Sequence, residues 1–252
     1  MIPPFLSFCT TCKGRLHHLA KTLPENIDGA LLFENVEFVL LDYDSPDGLD
    51  RWVQANLRKH LESGKLSYFR IVDRVPYFKL SHAKNVAHLL ALGEVVCNLD
   101  ADNYISPLCI EAFLDLHQID SQVITHGRRS SWGRISLRKE HFLQLGGYEE
   151  RLNGWGAEDQ DLLARGVQVM GLKKASLSRF DRAIRHGNDE RIRFMECKDI
   201  AKSCEYNRGL IRRLRRSGNE GANGEGNWGV ATVQKNFDSL HIKVGSTLYS
   251  GN

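Results

Sequence analysis

SHAKNVAHLLALGEVVCNLDADN, residues Ser81 to Asn103, holds a helix, a strand and a group of acids in one short run. Ala83, Val86, Ala87, Leu90 and Ala91 recur at helical spacing and stop at Gly93. EVVCNLD (Glu94 to Asp100) is then short, apolar and partly β-branched, as a buried strand should be. The same alternation fills the residues before it. FLSFC (Phe5 to Cys9), VEFVLLD (Val36 to Asp42) and LSYFRIV (Leu66 to Val72) read as strands. Between them Leu16, Leu19, Ala20 and Leu23 share one helical face before Pro24, and Leu49, Trp52, Val53 and Leu57 share another. Strands alternating with helices predict a parallel, helix-covered α/β sheet.

In such sheets ligands collect beyond the carboxyl ends of the strands. Here those ends are Thr10 to Arg15, Asp42 to Asp47, Asp73 to Leu80 and Asp100 to Asn103, so acids, small residues and a few cations share one edge. The second half is less regular. Pro107 to Ile119 reads as a helix, VITH (Val123 to His126) as a strand, and GRISLRK as a strand leading into a helix that stops at Gly146 and Gly147. A helix over Asp159 to Arg165 and a strand around Val167 to Met170 follow, then a basic helical pattern from Arg191 to Arg216. Ser217 to Gly229 is a glycine- and asparagine-rich loop, after which WGVATVQKNF (Trp228 to Phe237) fits a last strand.

The chain has 252 residues, 42% apolar and 26% charged, enough for a sizeable core and ordinary for a globular protein. A net charge of +3 suits anionic ligands such as nucleotides without marking a nucleic-acid binder. No apolar run reaches the roughly 18 residues of a membrane span, and the N-terminus lacks a basic n-region before its apolar stretch. Cys9 and Cys12 form a C-x-x-C opening onto a helix, but nothing else supports redox chemistry, so the six cysteines read as reduced thiols. The expected location is the cytoplasm, with a peripheral membrane position left open.

Four groups of residues carry candidate chemistry. Asp100 and Asp102 end a strand with one residue between them; such oxygen-rich pairs suit Mg²⁺ or Mn²⁺ bridging to a diphosphate, or a polar strand end with a capped turn. His186, in IRHGNDE, is an ordinary surface histidine by itself. Joined to the acids it makes a mixed oxygen and nitrogen site that favours Mn²⁺. Asp42 and Asp44, in LLDYDSPDG, fit either hydrogen bonds to a ribose or base, or a plain turn. NGWGAEDQD sets Trp155 between Gly154 and Gly156, a flat face for a sugar ring. Glu158, Asp159 and Asp161 follow at a helix start, where the dipole favours ionised carboxylates fit for a general base. Helix capping explains those acids but not the Gly-Trp-Gly.

GGYEE and NGWGAEDQD resemble an element of inverting GT-A glycosyltransferases, of the β1,4-galactosyltransferase type and bacterial family 2 relatives. CKGRLHHL resembles their R-x-x-H-L nucleotide segment, with Arg15 and His18 in register; SHAKNVAHLLALGEVVCNLDADN resembles the A-x-N helix and D-x-D strand, and IRHGNDE the I-R-H-x-x-D segment. The resemblance spans roughly residues 5 to 190 and implies a GT-A, Rossmann-like fold with a mixed, mostly parallel central sheet flanked by helices. It implies a catalytic domain over 1–190, with a nucleotide-binding half at 1–103 and an acceptor half at 104–190. Residues 191–252 then form a helical and loop-rich C-terminal extension.

The resemblance also implies roles. Asp102, His186 and Asp100 hold Mn²⁺ or Mg²⁺, and Asp159 is the base, with Glu158 beside it. Trp155, Gly156 and Asp161 shape the acceptor site, and Arg15, Asp42, Asp44, Lys84 and Asp100 contact a nucleotide-sugar donor, UDP-linked by analogy. The implied reaction is transfer of a hexose or N-acetylhexosamine, with inversion, to a hydroxyl acceptor. Two positions depart from the pattern: Ala183 stands where galactosyltransferases carry a metal-site methionine, and the base element reads EDQD rather than EDDD. The alternatives are a sugar nucleotidyltransferase, for which CTTCKGR is a thin phosphate loop, and a non-catalytic glycan- or nucleotide-binding homologue. RRLRR (Arg212 to Arg216) fits a solvated helix end or a contact with nucleic acid or an anionic membrane.

Overall fold

Val36–Asp42 is buried along its whole length, which a strand achieves only when both faces of its sheet are covered. In the computed structural model, which describes residues 3–177, 182–218, 221–224 and 226–248, that run is β2 of a seven-stranded sheet. The first half alternates as the pattern predicts: β1 (Leu6–Cys12), α1 (Leu16–Gly29), β2, α2 (Leu49–Asn56), α3 (Arg58–Glu62), β3 (Leu66–Ile71), α4 (Leu80–Leu90) and β4 (Val95–Asn98). Then come β5 (Asn103–Tyr104), α5 (Pro107–Ile119), β6 (Val123–His126), β7 (Ser136–Arg138), α6 (Lys139–Gln144) and α7 (Glu158–Gln168). The chain closes with β8 (Lys173–Ser176), β9 (Arg182–Ala183), α8 (Asn188–Ile192), α9 (Ile200–Arg216), β10 (Ala231–Lys235) and β11 (His241–Val244).

The strand order is β11-β10-β3-β2-β1-β4-β7. β3, β2, β1 and β4 run parallel, and β7, β10 and β11 join antiparallel at the two edges. Successive residues of a strand point to opposite faces, and here they feed two cores. Leu6, Phe8, Phe38 and Leu40 pack with Leu19, Leu23 and Ile27 of α1 and Phe113 of α5. Cys9, Val39 and Leu41 pack on the other side with Ala83 and Val86 of α4, Phe142 of α6 and Leu162 of α7. The C-x-x-C is divided between these layers, Cys9 in one and Cys12 in the other, and both thiols are free. Burial pushes both thiols well above their ordinary range, which disfavours the thiolate that a redox pair needs.

Several elements differ from the sequence pattern. α1 runs through Pro24 to Gly29, because Thr22 and Asn26 hydrogen-bond the backbone of Ala101, Asn103 and Ile105 while Ile27 enters the core. No strand forms at Val167 to Met170. α7 continues through Gln168 with a helical bond from Val169 N to the Arg165 carbonyl, and the strand begins at Lys173. The basic helix is broken before Ile200, where Asp199 accepts a hydrogen bond from Lys202 N and caps α9.

The residues after 190 return to the sheet: β10 pairs with β3 and β11 with β10. The glycine-rich stretch expected as a loop at 217–229 includes residues 219, 220 and 225, which lie outside the described residues. Among the described residues, no helix is long and apolar enough to cross a membrane.

Candidate active site

The loops after β1 and β4 and the N-terminus of α7 enclose a cleft of about 410 Å³. Asn98, the last residue of β4, donates from Nδ2 to Asp100 Oδ1 (2.9 Å) and to the Gly133 carbonyl (2.9 Å), tying the acidic turn to the turn before β7. Two residues on, β5 pairs with β9 and Ile184 N bonds the Asp102 carbonyl. That ladder delivers His186 to the turn, with Nε2 2.9 Å from Asp102 Oδ2. His186 Nδ1 lies 3.2 Å from the Gly187 carbonyl, a contact that fixes Nε2 as the coordinating nitrogen when Nδ1 carries the proton. Asp102 has its proton affinity raised by burial and by Asp100. A carboxylate and an imidazole meeting on one wall of the cleft fit a Mn²⁺ or Mg²⁺ that would take its remaining ligands from phosphate and water. Asp100 faces the other way, toward Gly133 and Asp159.

Glu190 links this pair to the first helix. Its carboxylate lies 2.5 Å from His17 Nε2, 3.7 Å from Arg15 Nη1 and 3.8 Å from both His18 Nε2 and His186 Nδ1. Ligand-capable atoms of His17, His18 and Glu190 all lie within 4.8 Å of one another. Burial, then His17, pushes His18 down to about 4, so its imidazole is neutral at pH 7. Arg15 and His18 both line the cleft.

On the opposite wall the Gly-Trp-Gly loop meets α7. Gly154 and Gly156 have φ of 70° and 99°, and a Cβ on Gly156 would lie 2.8 Å from Cys204 Sγ, so the turn needs glycine there. α9 holds the loop: Asn207, fully buried, accepts from Asn153 N and donates to the Asn153 and Gly156 carbonyls. Ser203 donates to the Asn153 and Trp155 carbonyls. Trp155 therefore reaches the cleft from a clamped backbone, with the Arg191 guanidinium 5.3 Å from its ring centre.

The acids of α7 surround one lysine. Lys84, 2% exposed, donates to Asp159 Oδ1 (2.7 Å) and Glu158 Oε1 (3.0 Å). Two carboxylates thus share one ammonium. Burial, Glu158 and Asp100 raise the proton affinity of Asp159 against the opposing pull of Lys84. The two carboxylates keep Lys84 protonated despite its burial. A carboxylate that readily takes a proton at the edge of a cleft has the character of a general base.

The structure thus brings Arg15, Lys84, Asp100, Asp102, Trp155, Gly156, Glu158, Asp159 and His186 to one cleft. Asp42, Asp44 and Asp161 do not line it. Asp161 is tied to Arg165 (2.8 Å), which in turn holds the Leu145 and Gly147 carbonyls. Asp44 is half exposed beside Lys13 and Arg70. Asp42 accepts from Ser45 N and Tyr68 Oη, and the Ser45 hydroxyl accepts from Gly14 N, so it braces the turn between Lys13 and Arg15, which line the cleft.

Burial pushes Asp42 up to about 6, against hydrogen bonds that lower it. Its stabilising effect is present below the unfolded carboxylate value and is lost as pH rises through about 6. Asp42→Asn should therefore unfold at a higher temperature than the wild type at pH 8, by up to roughly 3 kcal/mol of stability, and show little gain at pH 4. Thermal melts at both pH values check this.

Sequence reading overlooked the lysine clamp, Asn207 and Gly133. A Cβ on Gly133 would lie 2.5 Å from Asp159 Oδ2 and 3.5 Å from Asp100 Oδ2, so the wall of the cleft is glycine where the two acids approach it. The sequence signal for the clamp was a lysine within an otherwise apolar helix face; Asn207, on a basic helix, left none.

The sequence family described as the N-terminal domain of galactosyltransferase matches residues 124–189, which include the Gly-Trp-Gly loop, α7 and His186. No curated protein matches the sequence. Solved structures do match in fold. The mannosyltransferase PcManGT from Pyrobaculum calidifontis, in complex with GDP-Man and Mn²⁺, is 17% identical with a TM-score of 0.58, over 71% of this chain and 56% of that one. S. aureus TarS 1–349 in complex with UDP-GlcNAc is 15% identical with a TM-score of 0.58, over 73% and 59%. GalNAc-T7 with UDP, GalNAc and Mn²⁺ is 17% identical with a TM-score of 0.56, over 70% and 43%. The chain spans 43% to 59% of the length of these three, and the likeness establishes a GT-A fold.

Proposed function

We propose that this protein is a metal-dependent, inverting glycosyltransferase that moves a hexose or N-acetylhexosamine from a nucleotide sugar, UDP-linked by family resemblance, to a hydroxyl acceptor. One observation carries the reading: a single cleft holds the Asp102–His186 pair on one wall and the Lys84-clamped Asp159 on the other. The galactosyltransferase match over 124–189 supports it, as do the nucleotide-sugar and Mn²⁺ complexes of the fold relatives.

In this reading the donor diphosphate lies toward Asp102, His186 and Arg15, and its sugar lies against Trp155. Asp159 accepts the proton of the acceptor hydroxyl as that oxygen attacks the anomeric carbon. The carbon–oxygen bond to the diphosphate breaks on the opposite face, its electron pair leaves with the nucleotide, and the configuration inverts. A divalent ion bound at Asp102 and His186 would neutralise charge growing on the leaving diphosphate. Lys84 orients the base, and α9, through Asn207 and Ser203, fixes the loop that presents Trp155.

Calorimetric titration of UDP and GDP, with Mn²⁺, Mg²⁺ or chelator, tests this directly. UDP should bind with Mn²⁺, fail to bind with chelator, and fail to bind to Asp102→Ala under either condition. Absence of nucleotide binding under every metal condition would remove the transferase reading.

A further inference from the structure

The cations of the cleft fall into two sets. Lys84 is paired with Glu158 and Asp159, Arg15 with Glu190, and Lys13 with Asp44. Arg129, Arg191 and Arg208 also line the cleft, and among the described residues none of them forms an ion pair with a carboxylate. Arg191 bonds Asn188 Oδ1 and covers the Trp155 ring. Arg208 belongs to α9, one helical turn beyond Cys204, which also lines the cleft.

α9 carries six basic residues and one acid. Arg212 follows Arg208 at i+4, about 6 Å further along the axis, and both are exposed. Arg215 reaches Asp161 of α7 at 3.5 Å, so this side of α9 looks toward the helix that bears the candidate base. The row of cations therefore starts inside the cleft, with Arg191 beside Trp155, and runs outward along a helix already locked to the Gly-Trp-Gly loop by Asn207.

A row of this kind is suited to a chain with repeated negative charges. A membrane surface fits less well, because the only exposed large apolar side chain of α9 is Tyr206, too little for insertion among lipids. We propose that Arg191, Arg208 and Arg212 form an anion track and that the acceptor hydroxyl is carried on a polyanionic chain, a polyol phosphate or a uronic-acid glycan, lying along α9. The proposal rests on the transferase reading and names the acceptor class of that site.

The test compares binding of five probes to the full chain: a polyol-phosphate oligomer, a uronic-acid oligosaccharide, a neutral oligosaccharide of equal length, a single-stranded oligonucleotide, and phosphatidylcholine vesicles with phosphatidylglycerol. One or both anionic oligomers should bind more tightly than the other three probes. That binding should weaken as salt rises from about 50 to about 200 mM. Arg208→Ala/Arg212→Ala should weaken it by about tenfold, and Arg208→Lys/Arg212→Lys should recover most of the loss. The tighter oligomer identifies the anionic group.

Equal binding of the neutral oligosaccharide, or equal or tighter binding of the oligonucleotide or vesicles, would overturn the proposal, as would oligomer binding indifferent to the alanine variant. UDP titration with Mn²⁺ on the same samples separates the two readings. Oligomer binding without UDP binding would sink the transferase assignment and leave the track standing. UDP binding without oligomer binding would do the reverse.

Discussion

Asp159→Asn is expected to bind UDP and Mn²⁺ as the wild type does and to transfer sugar about 10²- to 10⁴-fold more slowly, the usual contribution of a positioned general base. Asparagine keeps the shape of aspartate and still offers an oxygen to Lys84 Nζ, now 2.7 Å from Asp159 Oδ1. What it cannot do is take a proton from the acceptor. The substitution also leaves one carboxylate where two shared a single ammonium, so its melting temperature should equal or exceed the wild type's. A loss of rate with no loss of stability is the signature of chemistry rather than of misfolding. The pH profile supplies a second check. Asp159 acts as a base only when ionised, and its proton affinity is raised by burial, Glu158 and Asp100. The wild-type rate should therefore rise with pH through a value above the ordinary carboxylate range, and this acid limb should be absent in the variant. Near-normal turnover in Asp159→Asn would assign the proton to another group.

The central fold was legible because burial leaves a strong trace in sequence. β2 is covered on both faces and reads as an unbroken apolar run, and α4 keeps its period of apolar residues up to the end of the helix. Elements made by distant pairing left no such trace. β5 and β9 are two residues each, and their pairing is what brings His186 to Asp102. β11, His241–Val244, is mostly exposed and has no apolar run, yet it completes the sheet edge. Pro24 misled because a local rule was overridden by hydrogen bonds from Thr22 and Asn26 to the acidic turn.

The candidate site shows the same division. The acids, the glycines and Trp155 could be found as a motif, since their types and spacing are unusual together. Which of the acids faces the cleft could not. Asp161 stands two residues from Asp159, but a helix turns successive side chains apart, and Asp161 pairs with Arg165 instead. Asn207 and Ser203, one turn apart on a basic helix, look solvent-facing in sequence; only the docking of α9 on residues 153–156 gives them their task.

Lys84 is where sequence resemblance and geometry make opposed predictions. As a nucleotide contact, Lys84→Met would lose UDP affinity and keep its stability. As the counter-charge of Glu158 and Asp159, it would leave two carboxylates buried together without a cation, an arrangement that costs about 3–5 kcal/mol. The geometry favours the second outcome, because Nζ lies 2.7 and 3.0 Å from the two acids and the side chain is almost wholly buried. A drop in melting temperature on the order of 10 °C is expected, with UDP–Mn²⁺ binding retained below the transition. Catalysis should suffer as well. Lys84 is the only group among the principal influences on Asp159 that lowers its proton affinity, so its removal moves the acid limb of the rate to still higher pH. Lys84→Met/Glu158→Gln should regain much of the lost stability, since one carboxylate then remains where two repelled each other. Loss of UDP affinity in Lys84→Met at unchanged melting temperature would return the lysine to the donor side of the cleft.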